Sequence, residues 1–167
     1  MSRGFVKEDD QEEVPLVPQR AFLPQSVTNF VTKTGLELLL TEKQNLISEK
    51  DNLDIHNENE RRITLNYIHA KLQLLNDRIS GARVVDPNEQ PYTEIRFGAK
   101  VKLSNVVTGE IQTFQIVGVD EADIAKGKIS FISPMAKALI NRKTGDKVAL
   151  KQNQENIVFE IMSIFYL

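Results

Sequence analysis

Apolar residues recur at alternating spacings of three and four along the middle of this chain. The residues that keep the spacing are Leu65, Ile68, Leu72, Leu75, Ile79 and Ala82. Such a spacing places the side chains on one face of an α-helix. We therefore predict a helix over roughly residues 58–82, on the order of 35 Å long at about 1.5 Å per residue. A single apolar stripe of this length must be buried against another element.

A second helical pattern precedes it. Thr34, followed by Glu37, is typical of a capping box and predicts a helix from about 35 to 53. Its stripe consists of Leu36, Leu39, Leu46 and Leu53, widened by Leu40 and Ile47 and interrupted by Lys43 and Lys50. The polar residues 54–59 separate the two helices. Two such helices bury their stripes by folding back on each other, which predicts an antiparallel coiled-coil hairpin within residues 29–86.

The rest of the chain has the pattern of strands. Pro87 disfavours helical geometry at Asp86 and ends the helical region. Short alternating runs then predict strands at 95–103, 112–119, 128–132, 147–150 and 157–166. Ser133 followed by Pro134 predicts a short helix, because serine caps a helix and proline suits its first turn. The expected fold class is α+β, with an antiparallel sheet around one short helix in residues 87–167.

Residues 1–28 have neither the apolar spacing of a helix nor the alternation of a strand, and they are rich in acids and prolines. The residues concerned are Glu8, Asp9, Asp10, Glu12 and Glu13, with Pro15, Pro18 and Pro24. A segment of this composition buries little apolar surface, so we expect an extended or disordered arm. One alternative is that its apolar residues dock the arm on a surface. They are Phe5, Val14, Leu16, Val17, Phe22 and Leu23.

Composition limits the classes of function. A net charge of -2 and a pI near 5.8 argue against autonomous nucleic-acid binding, so a protein or a preformed complex is the expected partner. The chain has no cysteine, which excludes disulfides, thiolate metal sites and cysteine nucleophiles. Its two histidines, His56 and His69, cannot form a histidine-rich metal site within one chain. The sequence lacks both an apolar run of about 18 residues and an apolar signal core, so we expect a cytoplasmic protein without membrane contact.

A series of short motifs marks the C-terminal part. They are Phe97-Gly98-Ala99, Val117-Gly118, Glu121-Ala122-Asp123, Ser133-Pro134-Met135-Ala136 and Lys143-Thr144-Gly145-Asp146. Together these motifs resemble the C-terminal domain of the Gre transcript cleavage factors of bacterial RNA polymerase, a domain with an FKBP-like fold. The hairpin upstream, opened by Thr34-Gly35 and closed by Ala82-Arg83-Val84-Val85-Asp86, is also placed as in that family. The resemblance covers roughly residues 30–167.

The resemblance implies an accessory factor rather than an enzyme. In that family the globular domain docks on the rim of the polymerase's secondary channel, and the hairpin passes down the channel. Carboxylates at the hairpin tip help to hold a second Mg²⁺ of the polymerase active centre, so that the polymerase itself cuts backtracked RNA. By this resemblance Asp54 and Glu58 are the candidate catalytic and Mg²⁺-binding residues, with Asp51 or Glu60 as additional candidates. The factor binds no cofactor alone and meets the nascent RNA 3′ end only indirectly.

The tip departs from the family's pattern. Relatives read close to Gly-Asp-Leu-x-Glu-Asn-Ala-Glu-Tyr, whereas this chain has Asn52-Leu53-Asp54-Ile55-His56-Asn57-Glu58-Asn59-Glu60. The first arm is also shorter than the family norm by about four helical turns, and the second by about one. A tip that is one turn short stops about 5 Å from the metal ion that its carboxylates would have to bind. Non-cleaving relatives, such as the regulator of nucleoside diphosphate kinase branch, have shorter arms of this kind. The alternative function is therefore a non-cleaving regulator in the same channel, with the tip acids simply solvating a loop.

Family members use the turn at the start of the short helix to grip the polymerase. The matching residues here are Ser133, Pro134 and Met135, where an exposed Pro-Met pair would offer apolar surface. Ile132 stands where some relatives have an aspartate.

Two further classes remain as alternatives. An FKBP-like fold suggests a prolyl isomerase, but the aromatic residues have the spacing of core residues, and fold alone does not license the activity. The hairpin could instead form a shared seam between chains around Lys43 and Lys50, whereas an intramolecular hairpin predicts an elongated monomer.

Overall fold

The computed structural model of the protein describes residues 15–167. Phe5, Val14 and the acids of the predicted arm lie outside the described residues. Within the described part, no helix is both long and apolar enough to cross a membrane.

The hairpin is built between two short parallel strands. The order is β1 (Asn29–Val31), α1 (Lys33–Asp51), α2 (Glu58–Ser80) and β2 (Ala82–Val84). Strand β1 pairs with β2 in parallel, with Asn29 opposite Ala82 and Val31 opposite Val84. The predicted helical hairpin is confirmed, and its two ends are fastened together at the base by this pairing.

The first helix begins earlier than predicted. Thr32, not Thr34, is the N-cap, and its hydroxyl accepts a hydrogen bond from the Gly35 N–H at 2.9 Å. The same hydroxyl donates to a carboxylate oxygen of Glu121. Because a tertiary partner engages Thr32, the capping pattern of Thr34 and Glu37 does not decide where the helix starts.

The two helices have their own hydrophobic core. Its buried residues are Val31, Leu39, Leu46 and Leu75, flanked by Leu36, Leu72, Ile79 and Ala82. Burial of each large aliphatic side chain contributes about 1.5–3 kcal/mol to folding. Leu40, predicted to widen the stripe, is instead 46% exposed. The hairpin therefore follows the predicted seam but with a narrower stripe.

The C-terminal domain contains five strands and one short helix. These elements are β3 (Lys100–Asn105), β4 (Ile111–Val117), β5 (Lys128–Ser130), α3 (Pro134–Leu139), β6 (Lys147–Gln152) and β7 (Glu155–Phe165). The sheet order is β5-β4-β3-β7-β6. Three pairings are antiparallel, but β4 pairs with β5 in parallel. The predicted antiparallel sheet is therefore found in three of the four pairings, and the β5 edge departs from it.

The parallel pairing requires the chain to cross over between β4 and β5. Residues 118–127 make this connection, which we call the crossover. It contains a 3₁₀ turn at Ile124–Lys126 and ends at Gly127, whose φ is 70°. Parallel neighbours cannot be joined by a tight hairpin, so the chain has to leave the sheet before it returns. The crossover uses this detour to reach the base of the helical hairpin.

The first strand of the sheet also differs from its prediction. Ile95 is fully buried, yet the strand starts only at Lys100. The Ile95 N–H donates to the carbonyl of Arg142 at 2.9 Å, and Gly98 turns the chain with a φ of 85°. The alternating pattern predicted the burial of Ile95 correctly, but a turn replaces the first half of the predicted strand.

The sheet curls around α3 to form the second core. Its residues include Val101, Leu103, Ile116, Phe159 and Ile161 from the strands and Ala136 and Leu139 from the helix. Phe97 and Phe131 pack edge to face with ring centroids 5.5 Å apart. Phe30 of β1 packs on both rings, at 5.9 and 5.8 Å. These rings therefore fill the space between the sheet and the hairpin base.

Candidate functional site

The loop at the hairpin tip is held by caps on both helices. Asn52 is the C-cap of α1, and both its N–H and its side-chain amide donate to the Ser48 carbonyl. Asn57 begins α2, and its side-chain oxygen accepts from the N–H groups of Asn59 and Glu60, each at 3.0 Å. The polar stretch thus forms a short ordered loop between two capped ends.

The predicted tip carboxylates face solvent. The side chains of Asp54 and His56 are 89% and 95% exposed, and Asp54 Oδ1 lies 3.6 Å from His56 Nε2. Glu58 is the exposed first residue of α2. Carboxylate oxygens suit Mg²⁺, which usually keeps several waters and takes one or two protein carboxylates. In residues 15–167 no group of three or more potential ligands comes together, so these acids form at most a partial ligand set.

The acids at the start of α2 also have a local structural effect. Glu58 and Glu60 lie in its first turn, where negative charge interacts favourably with the helix dipole. Asp51, the other candidate, ends α1, with its carboxylate 3.9 Å from Lys50 Nζ. Asp54 alone lies within the loop itself.

The turn before α3 has the predicted form. Ser133 is the N-cap, and its hydroxyl accepts from the Ala136 N–H at 3.2 Å. Pro134 occupies the first turn and is exposed. Met135, however, is half-buried and packs against the core of the sheet. The expected exposed Pro-Met pair is therefore reduced to Pro134 and the edge of Met135.

A cluster of charged side chains joins the hairpin to the domain, and the sequence reasoning missed it. Arg20 forms a bidentate pair with Glu42 of α1 and also lies 3.0 Å from Asp120 of the crossover. Arg78 of α2 lies 3.0 Å from the other oxygen of Asp120, an ionic contact without the alignment of a hydrogen bond. Arg20 lowers the pKa of the Glu42 carboxyl, chiefly through this hydrogen bond.

A second polar contact lies beside that cluster. The Glu121 side chain is 2% exposed and accepts from Lys128 Nζ at 2.9 Å and from the Thr32 hydroxyl. Gly35 and Gly118 allow the close approach. A Cβ on Gly35 would lie 2.8 Å from Glu121 Oε2, and one on Gly118 would lie 2.7 Å from the Phe30 carbonyl oxygen. The motif containing Gly118 and Glu121 therefore positions the hairpin.

The chain is similar to known proteins over most of its length. The family described as transcription elongation factor, GreA/GreB, C-terminal, matches residues 90–166. GreA of Pseudomonas aeruginosa is 33% identical over 138 residues, covering 82% of this chain and 85% of that relative. GreA of Thermodesulfovibrio yellowstonii is 35% identical over 116 residues, covering 70% and 72%. This chain belongs to the GreA/GreB family of transcription elongation factors.

Two solved structures are also similar to this GreA/GreB family member. GreA/GreB from Nitrosomonas europaea is 18% identical with a TM-score of 0.43, covering 84% of this chain and 99% of that one. The GreA factor homolog 1 protein of Thermus thermophilus is 23% identical with a TM-score of 0.40, covering 83% and 99%. The family assignment rests on the sequence relatives.

Proposed function

We propose that this GreA/GreB family member binds bacterial RNA polymerase and modulates elongation. In this proposal the protein is a monomeric, cytoplasmic accessory factor. Its C-terminal domain docks on the rim of the secondary channel, and its hairpin enters the channel. The observation that carries the proposal is the separation of the two cores. The helices bury their stripes on each other rather than on the sheet, so the tip is free to enter a partner.

The first version of the proposal is stimulation of RNA cleavage. Asp54 and Glu58 would supply carboxylate oxygens to an Mg²⁺ ion of the polymerase active centre. When bound, that ion would stabilise charge on the reacting oxygens. The role of this chain is to deliver exposed carboxylates, and the polymerase's own groups would complete the site near the RNA 3′ end.

A non-cleaving regulator is the second version. It is favoured by the first turn of α2, where Glu58 and Glu60 complement the helix dipole without a metal ion. It is also favoured by the short α1, whose 19 residues span about 28 Å. In this version the hairpin occupies the channel and competes with other factors without placing a ligand on the metal.

One experiment separates the two versions. A stalled, backtracked elongation complex with Mg²⁺ receives the parent protein, Asp54→Ala or Glu58→Ala. The control is Glu110→Ala, which removes an exposed acid from the β3–β4 turn. Shortening of the RNA that both tip variants reduce at least tenfold, and the control does not, supports cleavage. Binding without shortening supports the regulator, and failure to bind polymerase rejects both versions.

The docking turn requires a separate binding measurement. Pro134→Ala removes exposed apolar surface while leaving Ser133 to cap the helix. We expect about a fivefold weaker affinity for polymerase, since truncating a residue that contributes to binding costs on the order of 1 kcal/mol. Pro91→Ala, in the exposed linker before β3, is the control. Equal affinities for the parent and both variants would remove this turn from the proposed interface.

A further inference from the structure

The described part of the N-terminal arm crosses the junction between hairpin and domain. Residues 15–24 have no regular secondary structure. Arg20 is the only charged residue between 15 and 28. Its guanidinium reaches two separate units, because it contacts Glu42 of α1 and Asp120 of the crossover. The arm is therefore attached to both sides of the junction through one side chain.

The Arg20 contacts have the geometry of a strong interaction. Nη1 and Nη2 donate to the two carboxylate oxygens of Glu42 at 2.8 and 3.0 Å, while Nε donates to Asp120 Oδ1 at 3.1 Å. A planar guanidinium that binds one carboxylate through two parallel hydrogen bonds is fixed in direction as well as in distance. Three donor atoms of Arg20 thus link α1 to the crossover in a fixed geometry.

The second hairpin helix joins the same group. Arg78 contacts Asp120 through Nε and donates from its Nη2 to the carbonyl oxygen of Ala21 in the arm. The side chains of Asp120, Arg78 and Arg20 are only 9%, 12% and 19% exposed. Salt screens such partly buried contacts less than it screens pairs on the surface. Arg20 of the arm and Arg78 of α2 therefore meet at the Asp120 carboxylate of the crossover, and Arg20 joins α1 to this group through Glu42.

Apolar packing explains only part of the arm's position, because Val17 and Leu23 are half-buried. Leu16 and Phe22, which could have anchored it, are 97% and 77% exposed. Two open grooves lie beside the arm: one of about 750 Å³ is lined mainly by the arm and α2, and one of about 410 Å³ by the arm, both hairpin helices and the crossover. The hydrogen bonds of Arg20 and of the Ala21 carbonyl therefore add specific attachment points to this partial packing.

We propose that residues 17–23 act as a strap that fixes the direction in which the hairpin projects from the C-terminal domain. Glu121, Thr32 and the packing of Phe30 hold the hairpin base to the domain without the arm. Loss of the strap should therefore loosen the angle between the units while leaving both folded. This proposal concerns the free protein and does not depend on the partner.

A pair of spin labels can measure the angle directly. Because the chain has no cysteine, His56→Cys at the tip and Val107→Cys in the β3–β4 turn provide two unique labelling sites. Their side chains are 95% and 88% exposed, so labels should not disturb packing. Pulsed dipolar spectroscopy then gives the distribution of tip-to-domain distances.

Two variants remove the strap in different ways. Arg20→Ala removes its charged contacts, and a chain beginning at Gln25 removes the whole arm. Arg83→Ala, an exposed arginine on β2, is the control for loss of one positive charge near the junction. Circular dichroism and thermal melting check that each variant remains folded.

We expect the distance distribution to become at least about twice as broad in both strap variants and to stay narrow in the control. A distribution as narrow as the parent's in the folded truncated chain would overturn the proposal. Equal broadening by Arg83→Ala would also overturn it, because the effect would then reflect net charge rather than the strap.

Discussion

Arg78, near the end of the second hairpin helix, places its Nε atom 3.0 Å from Oδ2 of Asp120 in the crossover. This contact joins the helical hairpin directly to the sheet domain. It lies beside the Glu121–Thr32 contact and the packing of Phe30 on Phe97. A small group of polar and aromatic contacts therefore attaches the base of the hairpin to the sheet domain.

At Gly118 the crossover passes close to the Phe30 carbonyl of the hairpin base. We expect Gly118→Ala to lower the free energy of unfolding by about 1–3 kcal/mol, because the added Cβ would lie 2.7 Å from the Phe30 carbonyl oxygen. Gly81→Ala is the matched control. Its Cβ would meet the Asp77 carbonyl oxygen at an ordinary 3.5 Å, and the φ of Gly81 is −84°. Urea denaturation of both variants makes the comparison, and equal stabilities would contradict this account of Gly118.

The pair of Arg20 and Glu42 predicts a pH dependence. Hydrogen bonding to Arg20 lowers the pKa of Glu42 below its ordinary 4.5, so the folded protein binds that proton less readily than the unfolded chain. The resulting stabilisation is complete above about pH 4.5 and is lost as the pH falls through the lowered pKa. In urea denaturation, Glu42→Gln should therefore be less stable than the parent near neutral pH. This difference in the free energy of unfolding should shrink as the pH falls below about 4.5. A difference that stays constant down to about pH 3 would refute this linkage.

The short helix depends on its cap. Ser133→Ala removes the acceptor for the Ala136 N–H and should cost about 1 kcal/mol of stability. Ser48→Ala, at an exposed position inside α1, should not destabilise the protein because alanine is the better helix former. Thermal melting of the two variants provides the test. A stable Ser133→Ala protein would show that packing of Met135 and Leu139 alone defines the start of α3.

The parts of the fold that could be predicted are those decided by the spacing of apolar residues or by local capping residues. The spacing that includes Ile68 and Leu75 gave the second helix and its buried face, since both side chains are at most 1% exposed. Ser133 and Pro134 likewise predicted the start of α3 from local chemistry. Predictions based on such local patterns were confirmed because the groups that decide them are close in sequence.

Features decided by distant partners were not predictable in the same way. Thr32 caps α1 while engaged by Glu121, 89 residues away, and so overrides the local pattern at Thr34. The parallel pairing of β5 depends on the path of the crossover, which the strand pattern does not contain. Arg20 gave one signal, as a lone charge in an otherwise uncharged stretch, but its partners became visible only in the fold.

In the candidate site, too, features that depend on local sequence were predictable and features that depend on distant groups were not. The sequence located Asp54 and Glu58 in or beside a polar tip, and the structure places both on the exposed surface there. Their Mg²⁺-binding role stays a prediction, because a partial ligand set depends on groups that a partner supplies. The half-burial of Met135 was missed, since a residue in the first turn of a short helix can face either the core or solvent.

The most direct test of the account is the position of the tip in a polymerase complex. A photo-crosslinking amino acid replaces His56 at the tip or, in a second protein, Val107 of the β3–β4 turn. We expect the tip to crosslink to polymerase segments that line the active centre, and Val107 to give no such product. Stable binding with tip crosslinks only to the outer polymerase surface would contradict the claim that this hairpin enters the channel.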